Sequence, residues 1–514
     1  MKKKQLLITT AILLGLSVFS CKKQINPAED TVVKTAAAGS TSYLKSIVLG
    51  TYTKLQGLTG NNAMLLTAEE TGDGLIVPGR IGGDWADGGV WQQLWLHNYP
   101  ASHGNISGAW DNAYSTIGAI NITINLLQGI PSTPATVYSI AELKTLRDYF
   151  YYLLLTNFGN VPLIISSSTD ASTVTNPSGS NVTVFNYLIT ELKADAPILS
   201  AKTPAQDGSQ YGRLNKWGAY FLLAKLYLNQ NMITGTTDNS GYTACSAYCD
   251  SIMTAGYSLS GNFLDNFSSN NTGSPENIWV IPYDHVYAGG LQIQMMTMHY
   301  NQAAKYGWGS TGGPWNGFCA NADFYKTFDN ADSRKKGWMS GIQYATDGVT
   351  PLTTRGSDSS LVLNFRPQVS SLYTATEYDG VRQQKWQLTP GNASQDADWA
   401  LFRYSDVLLM KAECQMRLGN AAAALTYTAP VRLRAGVANF SSEAFNLDSL
   451  LAERGREFVW EGWRREDLIR FGHFGDKKQF KPAADADKHW ALFPIPTEAH
   501  QKDPNLIQNP GYTW

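Results

Sequence analysis

The sequence predicts a mostly α-helical protein: a scaffold of helix pairs interrupted by two long loop-rich inserts and a few short strands. Two observations carry the helices. Apolar residues recur at three- and four-residue spacing in segment after segment, and several of these segments stop at a glycine, such as Gly159 or Gly419. A third observation carries the inserts: residues 61–107 and about 256–400 lose that spacing and become rich in Trp and Gly. Compact proteins seldom keep irregular stretches of that length unless they bind something. With 514 residues, 43% of them apolar, the chain is long enough to bury a large core.

In chain order, three lysines precede an apolar run from Leu6 to Phe19 that is too short to span a bilayer. Ser20 then meets Cys21, the pattern of a signal peptide (1–20) cut ahead of a cysteine that is lipidated. Each buried acyl methylene adds ~0.8 kcal/mol of anchoring. An ordinary secretory signal with an incidental cysteine is the alternative, and Phe19 is bulkier than the usual residue there. Residues 21–41 read as a polar tether, and one folded domain is expected over 42–514.

Helical spacing covers 42–58, 109–128, 140–158, 181–195, 215–230, 242–255, 405–419 and 421–435. In 140–158 it is strongest, with Leu143, Leu146, Phe150, Leu153 and Leu154 on one side. Ala219, Leu223, Leu226 and Tyr227 show the small–large interlocking of tetratricopeptide helices. About four such pairs are expected, although no 34-residue period appears. Short strands are expected at 277–283 and 361–365. From Leu451 to Gly472, Glu453, Glu457 and Glu461 recur every four residues among Arg454, Arg456, Arg464, Arg465 and Arg470. Charges so spaced pair along and between helices; the stretch reads as one or two short helices held by ion pairs, rather than as a paired-carboxylate enzyme site. Cys245 and Cys249, four apart on a helix, suit neither zinc nor a disulfide, and with Cys414 are expected as buried thiols.

A formal charge of −2 argues against nucleic acid. The 15 Trp and 26 Tyr instead suit either a large core or a surface for polar, ring-shaped ligands. Sugar rings have apolar C–H faces and hydroxyl rims, so they need flat aromatic platforms flanked by Asp, Asn, Arg or Gln. The first insert sets Trp85, Trp91 and Trp95 near Asp73, Arg80, Asp84 and Asp87. The second offers Trp308, Trp315 and Asn316, preceded by Tyr300, Asn301 and Tyr306. About half of these seven aromatics are expected in the core. Each remaining platform is worth only ~0.5–1.5 kcal/mol beyond area burial, which implies micromolar to millimolar binding.

Enzyme signatures are absent: there is no GxSxG, HExxH or GxxxxGK[ST]. The GxGxxG at Gly307, Gly309 and Gly312 follows no buried strand, and Pro314 blocks a helix start. His97 and His103 could join a metal with Asp84 or Asp87, but single loop histidines beside Trp more often line a polar groove, and no metal or cofactor is expected. A glycosidase carboxylate pair of Asp73 with Asp84 or Asp87 is left open by spacing alone.

Several blocks, in this order, resemble the SusD/RagB family of outer-membrane glycan-binding lipoproteins. They are the Ser20–Cys21 lipobox, RDYFYYLLLTNFGNVPL (147–163), GRLNKWGAYFLLAKLYLN (212–229), RYSDVLLMKAECQMRLGN (403–420), RGREFVWEGWRREDLIRFG (454–472) and the FPIP tail (493–496). The resemblance implies four tetratricopeptide-like units with irregular loops opposite. It also implies a non-catalytic receptor that binds oligosaccharide or polysaccharide at the cell surface. Such a receptor passes glycan, as a hinged lid, to a SusC-like TonB-dependent outer-membrane transporter, and is held to the membrane by lipid at Cys21. The family's site pattern falls on Asp73, Arg80, Asp84, Trp85 and Trp91, and on Trp315 and Asn316 with Trp308 nearby. There are two departures. Ala429-Pro430 suggests a later start for its helix, and Lys22-Lys23 replaces the acidic cluster linked to surface display, which leaves the side of display open. A lipid-anchored glycoside hydrolase and a purely structural helical-repeat adaptor are the alternatives.

Overall fold

Helices form where apolar spacing places them. In the computed structural model, which describes residues 41–169, 173–308, 313–355 and 360–514, they run Thr41–Tyr52, Gly104–Gln128, Pro134–Phe158, Ser180–Asp195, Lys216–Leu228, Ser240–Met253, Tyr404–Arg417 and Ala421–Arg434. The signal peptide, Cys21 and the tether lie outside the described residues, as do Gly309 and Gly312 of the glycine motif. Thr133 caps Pro134–Phe158 with its hydroxyl, and Asn215 caps Lys216–Leu228 through the N–H groups of Trp217 and Gly218. Gly419 and Gly472 take positive φ at helix ends, where an L side chain would be strained.

The helices pack as sequential pairs: Gly104–Gln128 with Pro134–Phe158, Lys216–Leu228 with Ser240–Met253, and Tyr404–Arg417 with Ala421–Arg434. Ser180–Asp195 lies against Pro134–Phe158 as a further pair. Their facing sides merge into a single cluster of buried apolar residues that reaches from Leu44 to Leu506. Cys245, Cys249 and Cys414 are buried free thiols, as spacing predicted. Ala421–Arg434 runs unbroken through Pro430, so the later start suggested by that proline is not observed. A proline inside a helix forfeits one ladder hydrogen bond, and the helix continues through it here.

The first insert is more regular than its sequence implied. It contains two seven-residue helices, Met64–Glu70 and Val90–Leu96, too short to display a period. The strand expected at 277–283 forms as Asn277–Ile281 and pairs antiparallel with Trp399–Arg403, with Trp279 opposite Phe402. The strand expected at 361–365 shrinks to Asn364–Phe365, paired with Gly341–Ile342.

The charged stretch forms two helices, Leu447–Glu457 and Arg464–Phe471, and its charges are buried and paired. Glu457 accepts from Arg334 at 3.1 Å and Arg403 at 3.0 Å. Arg403 also reaches Glu461, Arg454 joins Asp406 and Asp467, and Arg470 joins Glu413 and Asp467. This network fastens the first insert to the scaffold. The Glu69 carboxylate accepts from the backbone N–H groups of Trp460, Gly462 and Arg464, and the Arg464 guanidinium clasps Asp73 at 2.6 and 2.7 Å. The Trp460 indole donates to the Gly74 carbonyl. The loop that follows is therefore rooted in the buried ion-pair network.

Candidate functional site

The first insert turns sharply between its two helices. Gly82 and Gly83 take φ near +100°, with open space where a side chain would be, so conformation alone selects glycine there. The turn closes by a hydrogen bond from the Arg80 N–H to the Asp84 carbonyl and lifts Asp84 and Trp85 to the surface. Trp85 itself has φ +61°, which costs a residue with a Cβ roughly 1–2 kcal/mol. Strain of this kind persists only where the surroundings hold it.

Those surroundings are specific. The Trp85 indole N–H donates to the Trp315 carbonyl at 2.6 Å, and its ring lies on Gly317, where a Cβ would come within 2.2 Å of it. Trp91 and Phe318 back the ring at centroid distances of 5.1 and 5.5 Å. Trp91 also fixes Asp87 through its indole N–H at 2.7 Å. From the second insert, the Trp315–Phe318 segment hydrogen-bonds to the carbonyls of Met295, Met296 and Met298. Two buried guanidiniums clasp it from behind: Arg80 donates to the carbonyls of Asn316 and Gly317, and Arg382 to the Asn316 side-chain oxygen. Burial, and then the neighbouring Arg80, pushes Arg382 down to about 9.

What remains at the surface is an open hollow of about 450 Å³, lined by Asn61, Asp84, Trp85, Asp87, Tyr300, Trp315 and Arg355. Trp85 and Trp315 are half-buried; Asp84 and Asp87 are exposed. The Tyr300 hydroxyl donates to Asp84, burial and then that carboxylate pushing it up so that it stays protonated. Arg355 stacks on the Tyr300 ring and binds Asp84 at 3.0 Å. Its backbone N–H is held by Glu377, which also accepts from His299. The hollow thus joins two indole surfaces to carboxylate, guanidinium and amide groups, the chemistry that an amphipathic ring bearing hydroxyls requires.

Of the eight residues singled out in the sequence, Asp84, Trp85 and Trp315 line the hollow together. Arg80, Trp91 and Asn316 stand behind it as buried supports, since their polar groups are drawn to backbone and neighbouring side chains. Trp308 is buried against Tyr306 and donates to the Thr389 carbonyl. Asp73 is paired with Arg464 and lines a different hollow. Of the seven aromatics, Trp91, Trp95 and Trp308 are buried and the other four only partly so, close to the expected half. His97 is taken up by Asp485 and the Thr71 carbonyl, and His103 by the Val90 carbonyl, so neither meets Asp84 or Asp87.

Comparison with known proteins agrees with this architecture. Residues 275–512 match the SusD family, and residues 80–228 match a family described as starch-binding and associating with the outer membrane. Between them, the two matches to SusD-type families cover most of the chain. Starch-binding protein SusD of Bacteroides thetaiotaomicron is 25% identical over 423 residues, 73% of each chain. Among solved structures, surface glycan-binding protein A from Bacteroides uniformis superposes with a TM-score of 0.73 at 22% identity, over 91% of this chain and 99% of that one. The B. thetaiotaomicron surface glycan-binding protein A, in complex with laminarihexaose, gives 0.72 at 21% identity, over 91% and 99%. Within the hollow of this SusD-like chain, sequence reasoning passed over Asn61 and Arg355. Neither carries a local signal: Arg355 lies in a Thr- and Ser-rich stretch that only the fold brings to Asp84.

Proposed function

We propose that this SusD-like chain is a non-catalytic surface receptor that binds oligosaccharide or polysaccharide in the hollow around Trp85 and Trp315. One observation carries the reading: Trp85 is kept half-exposed in a strained backbone conformation by contacts from both inserts. Trp460 has the same φ but is wholly buried, whereas the contacts on Trp85 leave its ring half-exposed at the rim of a hollow. Trp85 and Trp315 offer faces to sugar C–H groups, while Asp84, Asp87, Arg355 and Asn61 ring them with acceptors and donors for hydroxyls. The names of its relatives, which bind starch and laminarihexaose, support the same class of ligand.

The carboxylates favour binding over cleavage. Asp84 is engaged by Tyr300 and Arg355 and Asp87 by Trp91, so both serve as hydrogen-bond acceptors, and neither sits in the apolar pocket that a catalytic acid requires. Bound glycan passes to a SusC-like TonB-dependent transporter in the outer membrane, with the receptor anchored by lipid on Cys21. This part of the proposal rests on the lipobox and on the family. Replacing Cys21 by Ser is expected to move the protein from the membrane to the soluble fraction; retention of the variant in washed membranes would contradict a single-point anchor.

Calorimetric titration with maltohexaose and laminarihexaose tests the receptor reading. Micromolar to millimolar binding with no released reducing ends is expected, and hydrolysis without stable binding would favour the glycoside hydrolase instead. Gly317→Ala provides a check that substitutes none of the lining residues. Its Cβ must push the Trp85 ring out of position, so affinity is expected to fall about tenfold or more in the same titration, a loss near 1.4 kcal/mol.

A further inference from the structure

Two hollows of about 360 and 330 Å³, both separate from the hollow around Trp85, adjoin at Phe474 and Asp476 and form one trough beside the Arg464–Phe471 helix. One end holds Asp73, clasped by Arg464, with Leu451 and Asp448; the other holds Trp490, flanked by Ala484, Ala486 and Asp487. Trp490 is half-buried and firmly held. Its carbonyl accepts from Tyr99 and from Arg465, and its ring meets Tyr99 edge-on at 5.1 Å and Tyr512 at 5.5 Å. Its indole N–H has no protein acceptor among the described residues, and the small side chains beside it leave room for a ligand.

We propose that this trough is a second saccharide-binding site, with Trp490 as the platform and Asp476 and Asp487 as acceptors for sugar hydroxyls. The lining matches the two-sided chemistry of a sugar. Leu451, Leu468, Phe474 and Trp490 give it an apolar floor, while the carboxylates of Asp448, Asp476 and Asp487 stand exposed at the rim. A bare cation would need no such floor. The lining charges nearly balance, with Asp73, Asp448, Asp476, Asp485 and Asp487 set against Arg464, Lys477, Lys478 and Lys488. With no excess of positive charge to hold uronate or sulfated chains, the glycan that fits is a neutral one. A platform fixed in advance avoids the ordering cost that weakens binding on mobile side chains. The proposal rests on the receptor reading above.

The test uses the Trp85→Ala protein, in which the first site is disabled, and follows the indole N–H resonance of Trp490 by NMR. That resonance is assigned as the one lost in Trp490→Phe. Millimolar maltohexaose or laminarihexaose is expected to shift it, an oligogalacturonate is not, and Ala486→Met, an exposed change that fills the trough, is expected to abolish the shift. If the unmodified protein binds hexasaccharide through Trp85 but the Trp490 resonance never moves, the second site is refuted alone. A response equal to or larger with the galacturonate refutes the neutral class. Absence of binding to any glycan by the unmodified protein refutes both sites together.

Discussion

Replacing Trp85 by Ala is expected to lower affinity for oligosaccharide by about 2 kcal/mol, or about thirtyfold, the combined loss of an aromatic contact and its buried area. The fold should survive, because the Trp315–Phe318 turn keeps its bonds to Met295, Met296 and Met298 and to the two arginines behind it. Trp85→Gly separates strain from binding. Glycine accepts the φ of +61° that alanine does not, so the Gly variant is expected to be about 1 kcal/mol more stable than the Ala variant while binding no better. Titration calorimetry and denaturant midpoints measure the two quantities. Equal stability of the variants would show that the turn is not strained, and unchanged affinity would remove Trp85 from the site.

The second large effect lies in the ion-pair network. Glu457→Gln leaves Arg334, Arg403 and Arg434 short of their shared carboxylate, and breaking one member of a buried set costs about 3–5 kcal/mol. The guanidine midpoint should drop accordingly; a change within the scatter of surface variants would mean that the network relaxes or admits water. Acid sensitivity follows from the same groups. Burial alone would raise Glu453, but Arg334, Arg456 and Arg432 hold it down to about 2. Glu457 and Asp467 are likewise held well below the usual carboxylate range by arginines that outweigh their burial. Carboxylates lowered in the folded state add stability that is complete above their unfolded values near 4.3 and is lost as pH falls through the folded ones. Stability is therefore expected to decline steeply between about pH 4 and pH 2, and less steeply in Glu457→Gln.

Much of the scaffold was legible because helical burial repeats. Pro134–Phe158 and Lys216–Leu228 carry apolar residues every three to four positions, and that pattern needs no knowledge of the partner. The pairing of Glu453, Glu457 and the arginines could be read for a similar reason: alternating charge at helical spacing has few other uses. The two short helices of the first insert could not be read, since seven residues hold barely two turns. The site was half legible. Trp85 and Trp315 stood out as indoles among glycines, yet nothing in the chain distinguishes them from Trp91 and Trp308, which differ only in having core to pack against on every side. Arg80 and Asn316 look like ligand groups in sequence because a polar side chain that staples backbone and one that grips a sugar are the same residue types. Asp73 went astray for a physical reason as well: its partner Arg464 lies 391 residues away, beyond the reach of any local rule.

A crystal structure of the protein soaked with laminarihexaose or maltohexaose would test the central claim most directly. The account predicts a sugar ring lying against the exposed indole surfaces of Trp85 and Trp315, with hydroxyls within hydrogen-bond distance of Asp84 or Asp87. A saccharide bound elsewhere while that hollow stays filled with ordered water would contradict it.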